Sequence, residues 1–112
     1  MTRKQALAEL IAKVEAGDIE RAPFWKVWLP ENPDGRLAWH AASASKGSLD
    51  AAKALHEAVL CHIDPQFGYL VGPEYARIVH PSGTVCDAQS KIPARAWLLA
   101  ILRALHSMET EA

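Results

Sequence analysis

Long apolar runs are missing from this chain of 112 residues. No stretch approaches the length of a membrane-spanning helix. The opening Met1-Thr2-Arg3-Lys4 leads into an amphipathic segment and not into the apolar core of a signal peptide. A cytoplasmic protein without a membrane partner is therefore expected. Cysteine is scarce as well: Cys61 and Cys86 stand without a Cys-x-x-Cys or His-x-x-x-His motif. This speaks against a disulfide-stapled scaffold and leaves no recognisable zinc site. Two reduced thiols are expected, with no metal ion and no cofactor. Charge of one sign is not in excess either, since 12 Lys and Arg face 13 Asp and Glu, for a net charge of −1. A general nucleic-acid binder needs a basic surplus to neutralise phosphates, so that class is disfavoured. A local basic pocket stays open.

What is present suits one folded domain. Half of the residues are apolar and 22% are charged, a balance that gives a chain of this length its own core. Leu7, Leu10, Ile11 and Val14 recur at helical spacing and predict a first helix over 3–16, with Thr2 as its cap and Gly17 as its stop. From Asp18 to Gly47 breakers dominate: Pro23, Pro30, Pro33 and Asp34-Gly35. Phe24, Trp25, Trp28 and Trp39 sit among them. The segment 24–47 therefore reads as an aromatic, proline-containing loop packed on the domain, with one helical turn around 24–29.

Ser48 caps the clearest helix, and Asp50 in its first turn suits the helix dipole. This helix continues to about Cys61, with Ala52, Leu55, Val59 and Leu60 on its buried face. Then the period changes to that of strands: 67–71, 75–80 and 84–87, joined by Gly72-Pro73-Glu74 and His80-Pro81-Ser82-Gly83. In the middle strand Ala76, Ile78 and His80 alternate with Tyr75, Arg77 and Val79, and either set can face the core. Pro93 opens a last helix with Trp97, Leu98, Ile101, Leu102 and Leu105 on one face. The tail over 107–112 is expected to fray. The fold class is thus α+β: a short three-stranded antiparallel meander packed with amino-terminal, central and carboxy-terminal amphipathic helices.

Two segments, Gly47 to Leu60 (GSLDAAKALHEAVL) and Pro93 to Leu105 (PARAWLLAILRAL), resemble small phage and prophage proteins of the phage ABA-sandwich type. The resemblance covers roughly Gly47 to Leu105 and rests on a packing pattern. Where those proteins carry a Pro-Gly-Trp type turn after the central helix, this chain has Cys61-His62-Ile63-Asp64-Pro65. The Trp-rich stretch has no counterpart in the pattern. The resemblance implies a phage or prophage origin, location in a host cell and α/β/α layering. It implies no activity.

Four sets of residues could carry function. Ser45-Lys46-Gly47-Ser48 precedes a helix, where free amides, a hydroxyl and an ammonium could hold phosphate. The spacing is not that of a Walker loop, and an ordinary capped helix is the competing reading. Trp25, Trp28 and Trp39 could stack on a base or enter a partner's groove, or could complete the core. Arg77, Lys91 and Arg95 could supply positive charge, and Arg95 stands in a first helical turn, where the dipole does not favour a cation. His56, Cys61, His62 and Asp64 lie close in sequence but spread around a helix end, which is poor metal geometry. A Cys86–His80 nucleophile pair lacks an identifiable orienting group.

No catalytic residues are assigned on this basis, so a non-enzymatic binding protein is expected. In the phage setting, the first reading is counter-defence by sequestering a phosphorylated nucleotide, in the manner of a sponge and as a homo-oligomer. Ser45, Lys46, Gly47 and Ser48 would hold phosphate, Trp39 would stack on the base, and Arg77 or Arg95 would complete the charge. The alternative is a protein-protein inhibitor of a host enzyme, or a virion accessory protein.

Overall fold

The computed structural model describes residues 3–18, 24, 27, 35–83 and 85–108. Its elements are α1 (Arg3–Glu15), α2 (Arg36–Ser45), α3 (Leu49–Val59), β1 (Gly68–Val71), β2 (Tyr75–Val79), β3 (Val85–Gln89) and α4 (Pro93–Met108). The strands form one antiparallel sheet in the order β1-β2-β3. The α+β class and the meander are as the sequence predicts.

The last helix organises the rest. An amphipathic surface helix buries one stripe, but α4 buries Ala94, Trp97, Leu98, Ile101, Leu102 and Leu105, together with Ala96, Leu99, Ala100 and Ala104 between them. A helix apolar on nearly all sides must be covered on nearly all sides. It packs on β2 and β3 with one flank and meets α1, α2 and α3 with the others. Leu7, Leu10 and Val14 of α1, Ala41 and Ala44 of α2, and Ala52 and Leu55 of α3 complete this core. Each fully buried leucine contributes about 1.5–3 kcal/mol relative to exposure.

Sheet alternation is resolved by α4. Ala76 and Ile78 of β2 and Ala88 of β3 are buried beneath it, whereas Tyr75, Arg77 and Val79 point away. Among the described residues no helix covers that other face. Among the described residues the layers run from α1, α2 and α3 to α4 to the sheet.

Two expectations are corrected. The segment 24–47 is not a continuous loop: Arg36–Ser45 is a helix. Its four alanines favour helix, and Leu37, Ala38, Ala41 and Ala44 place an apolar stripe against the core. The prolines lie upstream and do not interrupt it. Phe24 and Val27 are helical and buried; Trp25, Trp28, the three prolines and the cap Thr2 lie outside the described residues. The tail does not fray at Ser107, because α4 continues to Met108 and Ser107 Oγ donates to Ala104 O at 2.8 Å. Residues 109–112 lie outside the described residues.

Candidate functional site

The turn expected to cradle phosphate is the end of α2. Three consecutive amides are spent there: Lys46 N–H donates to Ser43 O at 3.2 Å, Gly47 N–H to Ala44 O at 3.0 Å and Ser48 N–H to Ser43 O at 3.1 Å. Gly47 sits at φ 117°, the left-handed side that lets a helix stop and return its last amides to its own carbonyls. Ser48 does cap α3, its Oγ accepting from Ala51 N–H at 3.1 Å. Ser45 is fully buried and its Oγ donates to Ala42 O at 2.6 Å. Lys46 is exposed. The turn is therefore a junction between two helices whose amides serve the fold.

Arg95 also finds a partner within this junction. Its Nε donates to Ser45 O at 2.9 Å. A cation unfavourable at the start of α4 is thus placed at the end of α2, where the dipole welcomes it. Trp39 is 65% exposed on α2 and contacts the ring of His40. Arg77 lies on the outer face of the sheet, 3.4 Å from Asp87. The proposed phosphate site is thereby divided: Ser45, Lys46, Gly47, Ser48 and Arg95 belong to the helix junction, Trp39 to the α2 surface and Arg77 to the sheet.

The His80 turn holds a cluster that the sequence reading missed in part. His80 Nε2 lies 2.7 Å from Asp64 Oδ2, and its Nδ1 lies 2.8 Å from Ser82 Oγ. Ser82 N–H donates to the same Nδ1 at 3.1 Å, which makes Nδ1 the acceptor and Nε2–H the donor to the carboxylate. Asp64 Oδ1 accepts from Gln66 N–H at 2.9 Å, and these bonds hold the Asp64 carboxyl below the usual carboxylate range. Asp64 is the orienting group absent from the sequence reading, and Ser82, not Cys86, stands at the ring. Cys86 instead pairs in register with Ile78 on the inner side of β3.

A serine, histidine and aspartate in line resemble an acyl-transfer relay, but such a relay also needs amides aimed at a developing oxyanion. Ser82 N–H is committed to the imidazole and Gly83 N–H to His80 O at 2.9 Å. Neither of the two surface hollows described below reaches Ser82. The cluster ties the β2–β3 turn to the chain after α3.

A second histidine lies deep between α3, α4 and β1. His56 is fully buried, and its Nε2 donates to Phe67 O at 3.2 Å. Its ring meets Tyr69 at 4.9 Å and Trp97 at 5.9 Å between centroids. Burial lowers its pKa below 6.5, against the opposing effects of the Phe67 carbonyl and Glu57. Cys61 Sγ approaches the same carbonyl at 3.7 Å, and burial raises its thiol pKa, with Glu57 and Asp64 adding to the effect. Among the described residues no group of three or more His, Cys, Asp or Glu is placed to hold a metal ion. No helix among them is long and apolar enough to cross a membrane.

Among the described residues no helix covers the outer face of the sheet. Its rows follow from the register: Leu70, Arg77 and Asp87 across the middle, with Val79 opposite Val85 on one side and Tyr75 opposite Gln89 on the other. Leu70 is 55% and Val85 56% exposed, and Tyr75 and Val79 are exposed as well. Two shallow hollows flank Tyr75. One, of about 430 Å³, runs over Arg77, Asp87 and Gln89 to Glu15 and Arg103. The other, of about 460 Å³, is lined by Glu74, Gln89, Ser90 and Lys91. Of the charged residues singled out in the sequence, Arg77 and Lys91 belong to this surface. The signal for the rest was Arg77 itself: a charge in an alternating strand marks the wet face and carries Tyr75 and Val79 with it.

Comparison of the chain with protein-family models, with curated proteins and with solved structures gives no match.

Proposed function

We propose that the protein is a non-enzymatic binding module whose outer sheet face docks a protein partner. One observation carries the reading: a face with Leu70 and Val85 more than half exposed surrounds a single Arg77–Asp87 pair. Tyrosine and arginine set among aliphatic side chains are the residues that carry binding energy at protein interfaces. An apolar surface rimmed by polar groups is the expected form of an interaction site. The mixed charges along the hollows, Glu15, Glu74, Asp87, Lys91 and Arg103, suit a polypeptide rim better than a phosphate cluster.

This favours the protein-inhibitor or accessory reading over nucleotide sequestration, whose cradle has its amides spent within α2. In the phage setting that the resemblance implies, the partner is a host protein. A photo-crosslinking residue at Val85, compared with one at Trp39, tests the reading. A discrete crosslinked protein is expected from Val85 alone, and Arg77→Ala should abolish it. Equal crosslinking from both positions, or none from Val85, overturns it.

A further inference from the structure

The two edges of the sheet are not alike, and the difference follows from the ladder. Gly72 N–H donates to Tyr75 O at 2.8 Å, closing the β1–β2 hairpin with a hydrogen-bonded pair. Such pairs alternate along an antiparallel ladder. Counting back from Gly72, residues Leu70 and Gly68 turn their amides toward Arg77 and Val79, their partners in register. Tyr69 and Val71 then turn both N–H and C=O outward, to the free edge of β1.

On the far side, Ser90 N–H donates to Glu74 O at 2.9 Å. The same alternation leaves Asp87 facing outward from β3. Its carbonyl is occupied: Arg103 Nη1 donates to Asp87 O at 2.6 Å, while Nη2 holds Glu15 at 3.2 Å. The edge of β3 is stapled by a charged side chain and carries an acidic residue, which are devices that deter strand pairing. The edge of β1 has neither. It reads Gly-Tyr-Leu-Val, without charge or proline, and among the described residues nothing pairs with it.

From this asymmetry we infer that β1 is a dimerisation strand, and that it pairs antiparallel with β1 of a second copy to make one continuous sheet. The strand is complementary to itself. A two-fold axis through Leu70 sets Tyr69 opposite Val71 of the second copy, and Val71 opposite Tyr69, so every outward amide on these residues meets an outward carbonyl. The side chains agree with that register. Leu70 meets Leu70 of the second copy at a non-hydrogen-bonded position, where side chains approach most closely, and each Tyr69 lies beside a valine, a favourable aromatic and β-branched pair. The second copy then covers part of exposed Leu70 on the outer face and of exposed Tyr69 on the inner face. The staple on β3 closes the assembly, because a blocked second edge prevents sheets from adding end to end. The inference rests on the outward backbone groups of Tyr69 and Val71, which the partner proposed for the outer face does not use; the two readings share only the Leu70 side chain.

Sedimentation velocity over a dilution series tests it, with circular dichroism to follow folding. The wild-type chain is expected to be a dimer that dissociates on dilution. Val71→Pro removes an outward amide without touching the β1–β2 bonds, and Leu70→Lys sets like charges face to face. Both variants should remain folded and run as monomers, and Val71→Pro, which leaves the outer-face side chains in place, should still crosslink through Val85 if the outer-face reading holds. Hydrogen exchange on the wild type gives a readout that no folding defect can obscure: the Tyr69 and Val71 amides should be protected in the dimer and exchange rapidly after dilution. A wild-type chain that stays monomeric at every concentration overturns the inference. So does a dimer that survives both substitutions, or exchange at these amides that ignores concentration.

Discussion

The two faces of one short sheet follow opposite rules. On β2, Ile78 is fully buried against α4, while its neighbour Val79 is exposed on the other side. Both are aliphatic β-branched residues suited to strands, so propensity cannot separate their roles. Coverage separates them: the inner face is closed by a helix apolar on nearly every side, and the outer face is closed by nothing among the described residues. A chain of this size concentrates its stability in one layer contact and leaves the opposite surface available for recognition.

The sharpest way to break that comparison is to truncate both neighbours. Ile78→Ala should lose about 2–5 kcal/mol, the cost of removed contacts plus the cavity left behind. Val79→Ala should stay within about 0.5 kcal/mol, as surface substitutions do. Chemical denaturation of the two variants measures both. Equal losses would mean that the outer face is covered after all.

Acid probes the closed side through a single buried group. His56 has its pKa lowered below 6.5 in the folded chain, so the unfolded chain takes up its proton first. Stability from this site is complete above pH 6.5 and is lost as the pH falls from there toward the folded pKa. Asp64, also lowered, from 3.8, acts only in the more acidic range below that value. The midpoint of denaturation should therefore decline below pH 6.5, well before the carboxylates titrate. His56→Gln keeps a donor for Phe67 O but cannot titrate, and should flatten that first decline. An unchanged slope in the variant would remove His56 as its source.

The helix junction falls between the two extremes. Gly47→Ala forces a side chain onto a backbone at φ 117°, a conformation disfavoured for residues other than glycine. A loss of about 1–2 kcal/mol is expected in thermal or chemical unfolding. Arg95→Ala, which removes the cation from the end of α2, should cost about 1 kcal/mol. These effects are larger than any at the neighbouring exposed lysine, which is the ranking a structural junction requires.

How far the sequence revealed this arrangement depends on whether the deciding contact is local. The terminal helices, the Ser48 cap and the three strands follow from periodicity and turn residues within a few positions of one another. The helix over Arg36–Ser45 was masked by its aromatic and proline-rich surroundings, although its alanines favour helix and Gly47 is a helix-ending signal. Arg95 was read as a misfit because its acceptor, Ser45 O, is 50 residues away in the chain. Asp64 and His80 stand 16 apart and are brought together by the β1–β2 hairpin between them. For the same reason the staple from α4 to β3, through Arg103, left no trace in local pattern. The outer face was half legible, since the alternation and the last helix were both visible and only the phase that this helix covers was not.

The smallest expected effect is at Lys46. Its side chain is exposed, and its amide and the next two are consumed in ending α2. Lys46→Ala should shift stability by no more than about 0.5 kcal/mol. It should also leave calorimetric titrations with cyclic and linear nucleotides as flat as those of the wild-type chain. An anion site at a helix start needs amides free to turn toward the ligand, and the geometry of this turn has already assigned three of them to Ser43 and Ala44. Clear heat from a nucleotide, lost on Lys46→Ala, would require the junction to open and release those bonds, and would return the phosphate reading to first place.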